Sequence, residues 1–299
     1  MCTSKSLIII LLFFCMIILI AYLNKNRLLE NFCDKPILWS YWENKKGKKM
    51  PAYIKLCYKT FKKNCADLYD IKILNEKTVN IYLPDLRKDI NKLPLAQKSD
   101  YIRICLLYNY GGLWLDADTC VITNLSEILD KFNEGYNFIG FGCSPKRCIY
   151  GYPRPSNQAM ASLKKTKLMK YCLDDLNKKL DDYFDNKITL TYFDLGKHII
   201  WEQIEKLDWD EKRKYYHFPS YADGSRDKNG KWIVLKLLSK DKIDFIDINK
   251  IMIVFLANSY FCGNDPKYNW FCNLSEEEIL NGDYNISTFF KYALYNNQG

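Results

Sequence analysis

Asp116 and Asp118 stand two residues apart at the end of an apolar run, Leu113-Trp114-Leu115. In an extended chain, side chains two apart lean to the same side, so the two carboxylates converge. Convergent carboxylates repel unless a cation lies between them. A hard cation, Mn²⁺ or Mg²⁺, takes oxygen ligands and keeps positions for substrate phosphates. A D-x-D pair alone is a weak sign, because acidic turns produce it by chance; Asp181-Asp182 and Asp208-Trp209-Asp210 read as such surface positions. This pair is set apart by what precedes it: Ser99-Asp100-x-x-Arg103 in a helical pattern, then Gly111-Gly112. Asp100 and Arg103 are three apart and project from one helical face. A carboxylate there suits sugar or ribose hydroxyls, and a guanidinium suits phosphate or the orienting of that carboxylate. A mutual ion pair on the helix surface is the alternative for these two.

The elements that must hold these groups can be read from periodicity. Ile37 to Trp42 reads as a buried strand, Ala52 to Asn64 as a helix with Ile54, Cys57, Tyr58 and Phe61 on one face, and Asp70 to Asn75 as a second strand. Strand, helix, strand opens an α/β sheet. A helix from Leu95 to Tyr110 buries Ile102, Cys105, Leu106 and Asn109, and Gly111 supplies its left-handed stop. Leu113 to Asp116 emerges from that stop as a strand, so the aspartates fall at a strand's carboxyl end, where α/β sheets form ligand clefts. Phe138 to Phe141 is a further strand. Ala159 to Phe184 and Leu195 to Leu207 read as helices, and the last third mixes short apolar runs with loops.

The 299 residues, 48% apolar and with 23 Tyr, 16 Phe and 7 Trp, describe a folded chain rather than a disordered one. The net charge of +9 is spread along the sequence; its densest group, Lys45 to Lys49, reads as a solvated loop. No nucleic-acid-binding signature is present, so nucleic acid is not an expected partner. Every residue from Leu7 to Leu23 is apolar or aromatic. As a helix this segment spans roughly 25 Å, near the lower limit for a bilayer. A retained membrane anchor is expected, with a cleaved signal peptide as the competing reading. The expected organisation is an anchor and linker over 1–34 and one α/β domain over 35–299. Three Asn-x-Ser tripeptides, at Asn124, Asn273 and Asn285, point to a type II single-pass protein with its domain in the ER or Golgi lumen. Lys5, Lys25 and Arg27 around the segment do not favour that orientation. Cys143 with Cys148, and Cys262 with Cys272, could close disulfides in an oxidising compartment.

At its chemistry-bearing residues the chain resembles the glycosyltransferases with a DXD sugar-binding region, a group that includes capsular polysaccharide synthesis proteins and initiating mannosyltransferases. The shared pattern runs from Ile37-Leu-Trp-Ser-Tyr-Trp42 through Ser99-Asp100-x-x-Arg103 and Gly111-Gly112 to Asp116-x-Asp118, and covers the N-terminal half. The resemblance implies a GT-A fold, a Rossmann-like mixed sheet flanked by helices. It also implies a hexosyltransferase that moves sugar from a UDP- or GDP-linked donor to a glycan or glycolipid with retention. By the same resemblance Trp39 and Ser40 face the base, Asp100, Arg103 and Asp116 bind the donor, and Asp116 and Asp118 hold Mn²⁺ or Mg²⁺. Many such enzymes add a late histidine. Here only His198 and His217 exist, and His198 reads as structural; Asn264-Asp265 could substitute as an oxygen ligand. The loop Gly151 to Asn157 could line the acceptor side. Asp194 and Glu202 are available carboxylates, but no catalytic residue is assigned. A sugar-binding module without catalysis, and a metal-dependent sugar-phosphate or nucleotidyl transferase, are the rival readings.

Overall fold

A computed structural model describes residues 35–45, 47–142, 154–245 and 248–296, together with Met16. β1 (Ile37–Tyr41), α1 (Ala52–Cys65) and β2 (Asp70–Leu74) open the chain, and α2 (Leu95–Tyr110) leads into β3 (Gly112–Leu115). β4 (Thr119–Val121), α3 (Ser126–Asn133), β5 (Phe138–Phe141) and β6 (Ser156–Ser162) follow. Then come α4 (Lys167–Phe184), α5 (Lys197–Lys206), β7 (Tyr215–His217) and β8 (Ile253–Phe255). α6 (Asn258–Phe261), α7 (Glu276–Asn281) and α8 (Asn285–Tyr295) complete it.

Six strands form one sheet in the order β2-β1-β3-β6-β5-β7, and β4 pairs with β8 in a separate ribbon. β1 runs parallel to both β2 and β3, whereas β6 is antiparallel to β3 and to β5. The sheet is therefore mixed. Strand alternation sorts its side chains between two cores. Leu38, Leu113, Leu115, Ile139, Ala159 and Ala161 face α1 and the C-terminal elements. Trp39, Trp114, Phe138 and Met160 face α2, α4 and α5. A helix-flanked α/β sheet is the expected architecture.

Two sequence readings are corrected. Ala159 to Phe184 is not one helix. Residues 156–162 form β6, whose small Ala159 and Ala161 pack flat between neighbouring strands. The helix starts only after Thr166, whose hydroxyl accepts the Met169 amide at 3.3 Å. The second correction concerns the membrane. Among the described residues no helix is long and apolar enough to cross a bilayer, so the transmembrane helix, single-pass topology and lumenal placement are withdrawn. The Leu7 to Leu23 segment on which they rested lies outside the described residues, Met16 excepted. Nor is Asn285 a free acceptor for a glycan: its Nδ2 donates to the carbonyls of Lys236, Ser239 and Asp241.

Cys262 and Cys272 form a disulfide across ten positions, with Cα atoms 5.2 Å apart. The Cys143–Cys148 pairing lies outside the described residues. Cys57, Cys65, Cys105, Cys120 and Cys172 are buried thiols. Closing so short a loop restricts the unfolded chain by about 2–3 kcal/mol. A Cys262→Ser/Cys272→Ser double variant is expected to lose that much stability. Urea unfolding checks it, and an unchanged midpoint refutes it.

Candidate active site

The site begins with two glycines. Gly111 and Gly112 adopt φ of +71° and +98°, in the left-handed region. A Cβ on Gly112 would sit 2.2 Å from the Ile37 carbonyl oxygen, and one on Gly111 2.7 Å from the Lys164 nitrogen. Only glycine lets α2 drop straight into β3 beside β1. The reversal lays α2 back along β3, so Arg103 on the helix meets Asp116 just past the strand's end. Sequence spacing anticipated the tight helix-to-strand turn at Gly111-Gly112; the Arg103–Asp116 pair and the degree of burial it did not.

Asp100 and Arg103 were expected to project off the buried stripe of α2, yet they are only 7% and 3% exposed. The reason is packing: α2 lies between the sheet and α4, and almost its whole circumference is covered. Arg103 serves two carboxylates. Its Nη2 donates to Asp116 Oδ1 at 2.6 Å, and its Nη1 lies 3.0 Å from Asp100 Oδ1. The second approach is off-line for a hydrogen bond, so Nε and Nη1 remain without hydrogen-bond acceptors. The guanidinium also lies 5.0 Å over the Trp114 ring. Trp114 Nε1 donates to Asp116 Oδ1 at 2.7 Å, and the Asp116 amide donates to the Gln158 carbonyl at 2.8 Å. Asp116 is thereby held from three directions.

Asp118 is held from a different side. Its Oδ2 accepts the Asn258 amide at 3.0 Å, and its carbonyl accepts the Leu256 amide at 2.9 Å. Tyr53 Oη in turn donates to Asn258 Oδ1. Burial pushes the Asp118 carboxyl up to about 7, and the neighbouring Asp116 charge adds to that rise. Burial raises Asp116 too, with Arg103 pulling the other way. Asp100 is pushed up to about 7 by burial, again opposed by Arg103. These are carboxyls in want of positive charge.

The arrangement fits a divalent cation. Both donors to Asp116 use Oδ1, and the donor to Asp118 uses Oδ2. Among the described residues no hydrogen bond from another residue reaches the other oxygen of either aspartate, so one oxygen per aspartate faces a possible ligand. Among the described residues there is also no group of three or more His, Cys, Asp or Glu able to hold a metal. Two protein ligands leave positions for diphosphate oxygens and water, the usual way Mg²⁺ and Mn²⁺ sit on nucleotides.

The other sequence candidates fall elsewhere. Trp39 is fully buried, its Nε1 donating to the Gly111 carbonyl at 2.9 Å, with Tyr82 and Tyr110 against its ring. Ser40 is likewise fully buried on the opposite face of β1. A strand covered on both sides sends alternate side chains into two cores, and both side chains are buried here. Asp265 caps the Lys267 amide at the surface. Asp194 accepts the Thr191 amide at 2.6 Å and lies 3.2 Å from His198 Nδ1, so it is a turn-forming group. Glu202 pairs with Lys179 at the surface. A cavity of ≈ 640 Å³ between α7 and α8, lined by Leu280, Thr288 and Tyr292 among others, is bordered by none of the site residues.

Sequence reasoning missed Asn157, Gly196 and Asn258. Asn157 Nδ2 donates to Asp100 Oδ1 at 2.7 Å. Gly196 lies so close that a Cβ there would meet Asp100 Oδ2 at 2.7 Å. Asn258 is 140 positions from Asp118. The polar loop ending at Asn157 carried a partial signal; the other two carried none.

Asp223 is a buried carboxyl outside this cluster. It is fully buried, its Oδ1 accepts the Ser225 amide at 2.9 Å, and its Oδ2 has no hydrogen-bond partner among the described residues. Burial pushes it up to about 7. The unfolded carboxyl ionises near pH 4, so between about pH 4 and 7 the folded state holds the extra proton. Stability from this group therefore falls as pH rises through that window. Asp223→Asn is expected to match the wild type at pH 4 and to exceed it by about 4 kcal/mol at pH 8. Denaturation midpoints at the two pH values test this; a pH-independent difference contradicts it.

Residues 17–240 match the family model described as capsular polysaccharide synthesis protein. No curated protein matches the chain significantly. Solved structures with similarity include the PaToxG glycosyltransferase, at 18% identity over 65% of this chain and 80% of that one, with a TM-score of 0.39. Another is the glycosyltransferase GlyE of Streptococcus pneumoniae TIGR4, at 12% identity over 89% of this chain and 66% of that one, TM-score 0.43. A third is the galactosyltransferase LgtC, solved with donor and acceptor sugar analogs, at 11% identity over 88% of this chain and 96% of that one, TM-score 0.44.

Proposed function

This chain belongs to the capsular polysaccharide synthesis protein family, and from that premise we propose that it is a metal-dependent glycosyltransferase of the GT-A type. It moves a hexose from a UDP- or GDP-linked donor to a glycan or glycolipid acceptor, with retention. The observation that carries this reading is the division of labour around Asp116 and Asp118: one oxygen of each is fixed by the protein and the other is left for a cation. Held by Asp116 and Asp118, Mn²⁺ or Mg²⁺ would supply the positive charge needed as a nucleoside diphosphate departs.

The chain's own residues do the positioning. Arg103 keeps Asp100 and Asp116 together and holds a fixed positive charge beside the pair. Asp100, steadied by Asn157, presents a carboxyl to donor-sugar hydroxyls. The Asn258 amide sets the orientation of Asp118, and Tyr53 sets Asn258.

The test is a panel of UDP- and GDP-sugars incubated with the purified protein and Mn²⁺ or Mg²⁺. Release of UDP or GDP that requires the metal supports the reading. Release of pyrophosphate or of sugar phosphate would instead mark a nucleotidyl or phosphosugar transferase. Donor binding without turnover, with or without acceptor, would mark a binding module.

A further inference from the structure

Residues 191–196 form a turn clamped at both ends onto the donor side of the site. The Thr191 carbonyl accepts Gln97 Nε2 of α2 at 3.0 Å, and Gly196 is pressed against Asp100 and Asn157. Between these anchors the turn carries Tyr192 and Phe193, which are 59% and 42% exposed. Adjacent exposed aromatics that form one contiguous patch are a mark of interaction sites. Their rings meet edge to face at 4.9 Å. Burial raises the Tyr192 hydroxyl, and the charges of Asp100, Asp116 and Asp118 add to that rise; the turn itself meets the site where Gly196 packs on Asp100.

From Phe193 the aromatic surface continues along α5. Lys197 Nζ lies 3.5 Å from the Phe193 ring centroid and 5.2 Å from that of Trp201. Arg154 also lies 5.1 Å from the Trp201 ring centroid. Trp201 is fixed by Nε1 donating to the Pro155 carbonyl at 2.8 Å. Lys197 forms no ion pair among the described residues, and its partial burial lowers its pKa. An ammonium without a counter-charge, set between two rings, matches an anionic group on a ligand whose flat faces rest on those rings. Pyranose rings have such faces, because their axial C–H groups form apolar patches that stack on aromatics. Because Lys197 Nζ is 3.5 Å from the Phe193 centroid and 5.2 Å from that of Trp201, the two rings lie close enough for one short glycan segment to touch both.

Resting on the glycosyltransferase reading, we propose that Tyr192, Phe193, Lys197 and Trp201 form the acceptor track, which binds an acidic glycan by stacking and delivers its end to the D-x-D pair. The acid is a carboxylate or phosphate on the glycan, met by Lys197.

The experiment uses neutral and uronate tetrasaccharides, each in α-1,4 and β-1,4 linkage, with binding measured by calorimetry at low salt. Donor hydrolysis is measured on the same preparations. The wild type is expected to bind a uronate probe at least ~10-fold more tightly than its neutral counterpart. Phe193→Ala or Trp201→Ala weakens that binding at least ~10-fold, one such step being the worth of a good stacking contact. Trp201→Phe retains most of it. Lys197→Met erases the preference for uronate. Donor hydrolysis stays within about two-fold throughout, as expected when ground-state donor contacts are untouched. No binding by any probe, binding that survives both alanine variants, or a parallel loss of donor hydrolysis each overturns the track. Uronate binding by a wild type that hydrolyses no donor would instead overturn the glycosyltransferase reading and leave the glycan site standing.

Discussion

Asp116→Ala lowers metal-dependent release of nucleoside diphosphate by at least ~10³-fold, the scale expected when a main stabiliser of transition-state charge is removed. Three losses combine. The cation loses one of the two carboxylates that converge on it. Arg103 and Trp114 lose the oxygen on which both hydrogen bonds end. The residual charge on Asp118 then faces a cation alone. Asp116→Asn separates these effects, because its amide oxygen still accepts from Arg103 and Trp114 while the formal charge is gone. It is expected to fold like the wild type yet to bind Mn²⁺ weakly, as seen by paramagnetic resonance titration. Metal-dependent turnover above about a tenth of wild type in Asp116→Ala would remove the pair from the mechanism.

Arg103→Ala has the largest expected effect on stability, about 3–5 kcal/mol, because it leaves buried carboxylates without their cation. Arg103 is 3% exposed and lies within 3.0 Å of both Asp100 and Asp116. Removing the guanidinium leaves two neighbouring acids that already resist ionisation, and also empties space beside Trp114. Arg103→Lys is not a rescue, since one ammonium cannot reach both acids with a planar fork. A second change, Asp100→Asn, is expected to recover part of the lost stability by deleting one of the stranded charges, while activity stays low. Chemical denaturation of the two single variants and the double variant measures this coupling. Simple additivity of the two changes would show that Arg103 and Asp100 do not act as a unit.

Both effects arise from how the D-x-D pair is built. Each aspartate is fixed through one oxygen by groups from elements far apart in sequence, and burial makes every such contact matter more than it would at the surface. Asp100 belongs to the same unit through Arg103, Asn157 and Gly196, so the cluster is a single buried polar network rather than a row of separate ligands.

What could be determined from the sequence alone was local. Alternating residues such as Leu113, Trp114 and Leu115 dictate a strand with two buried faces, helical spacing places Asp100 and Arg103 on one side of α2, and Gly111-Gly112 forces the turn that brings helix and strand together. Each of these depends on neighbours within about five residues, where backbone geometry sets direction. Only the tertiary structure decided the rest: that Trp39 and Ser40 point into cores, that residues 156–162 pair as a strand, and that Asn258 holds Asp118. Those outcomes depend on which surfaces pack together across 57 to 140 positions of chain. Packing is a property of the whole fold, and no periodicity in a single segment encodes its partner.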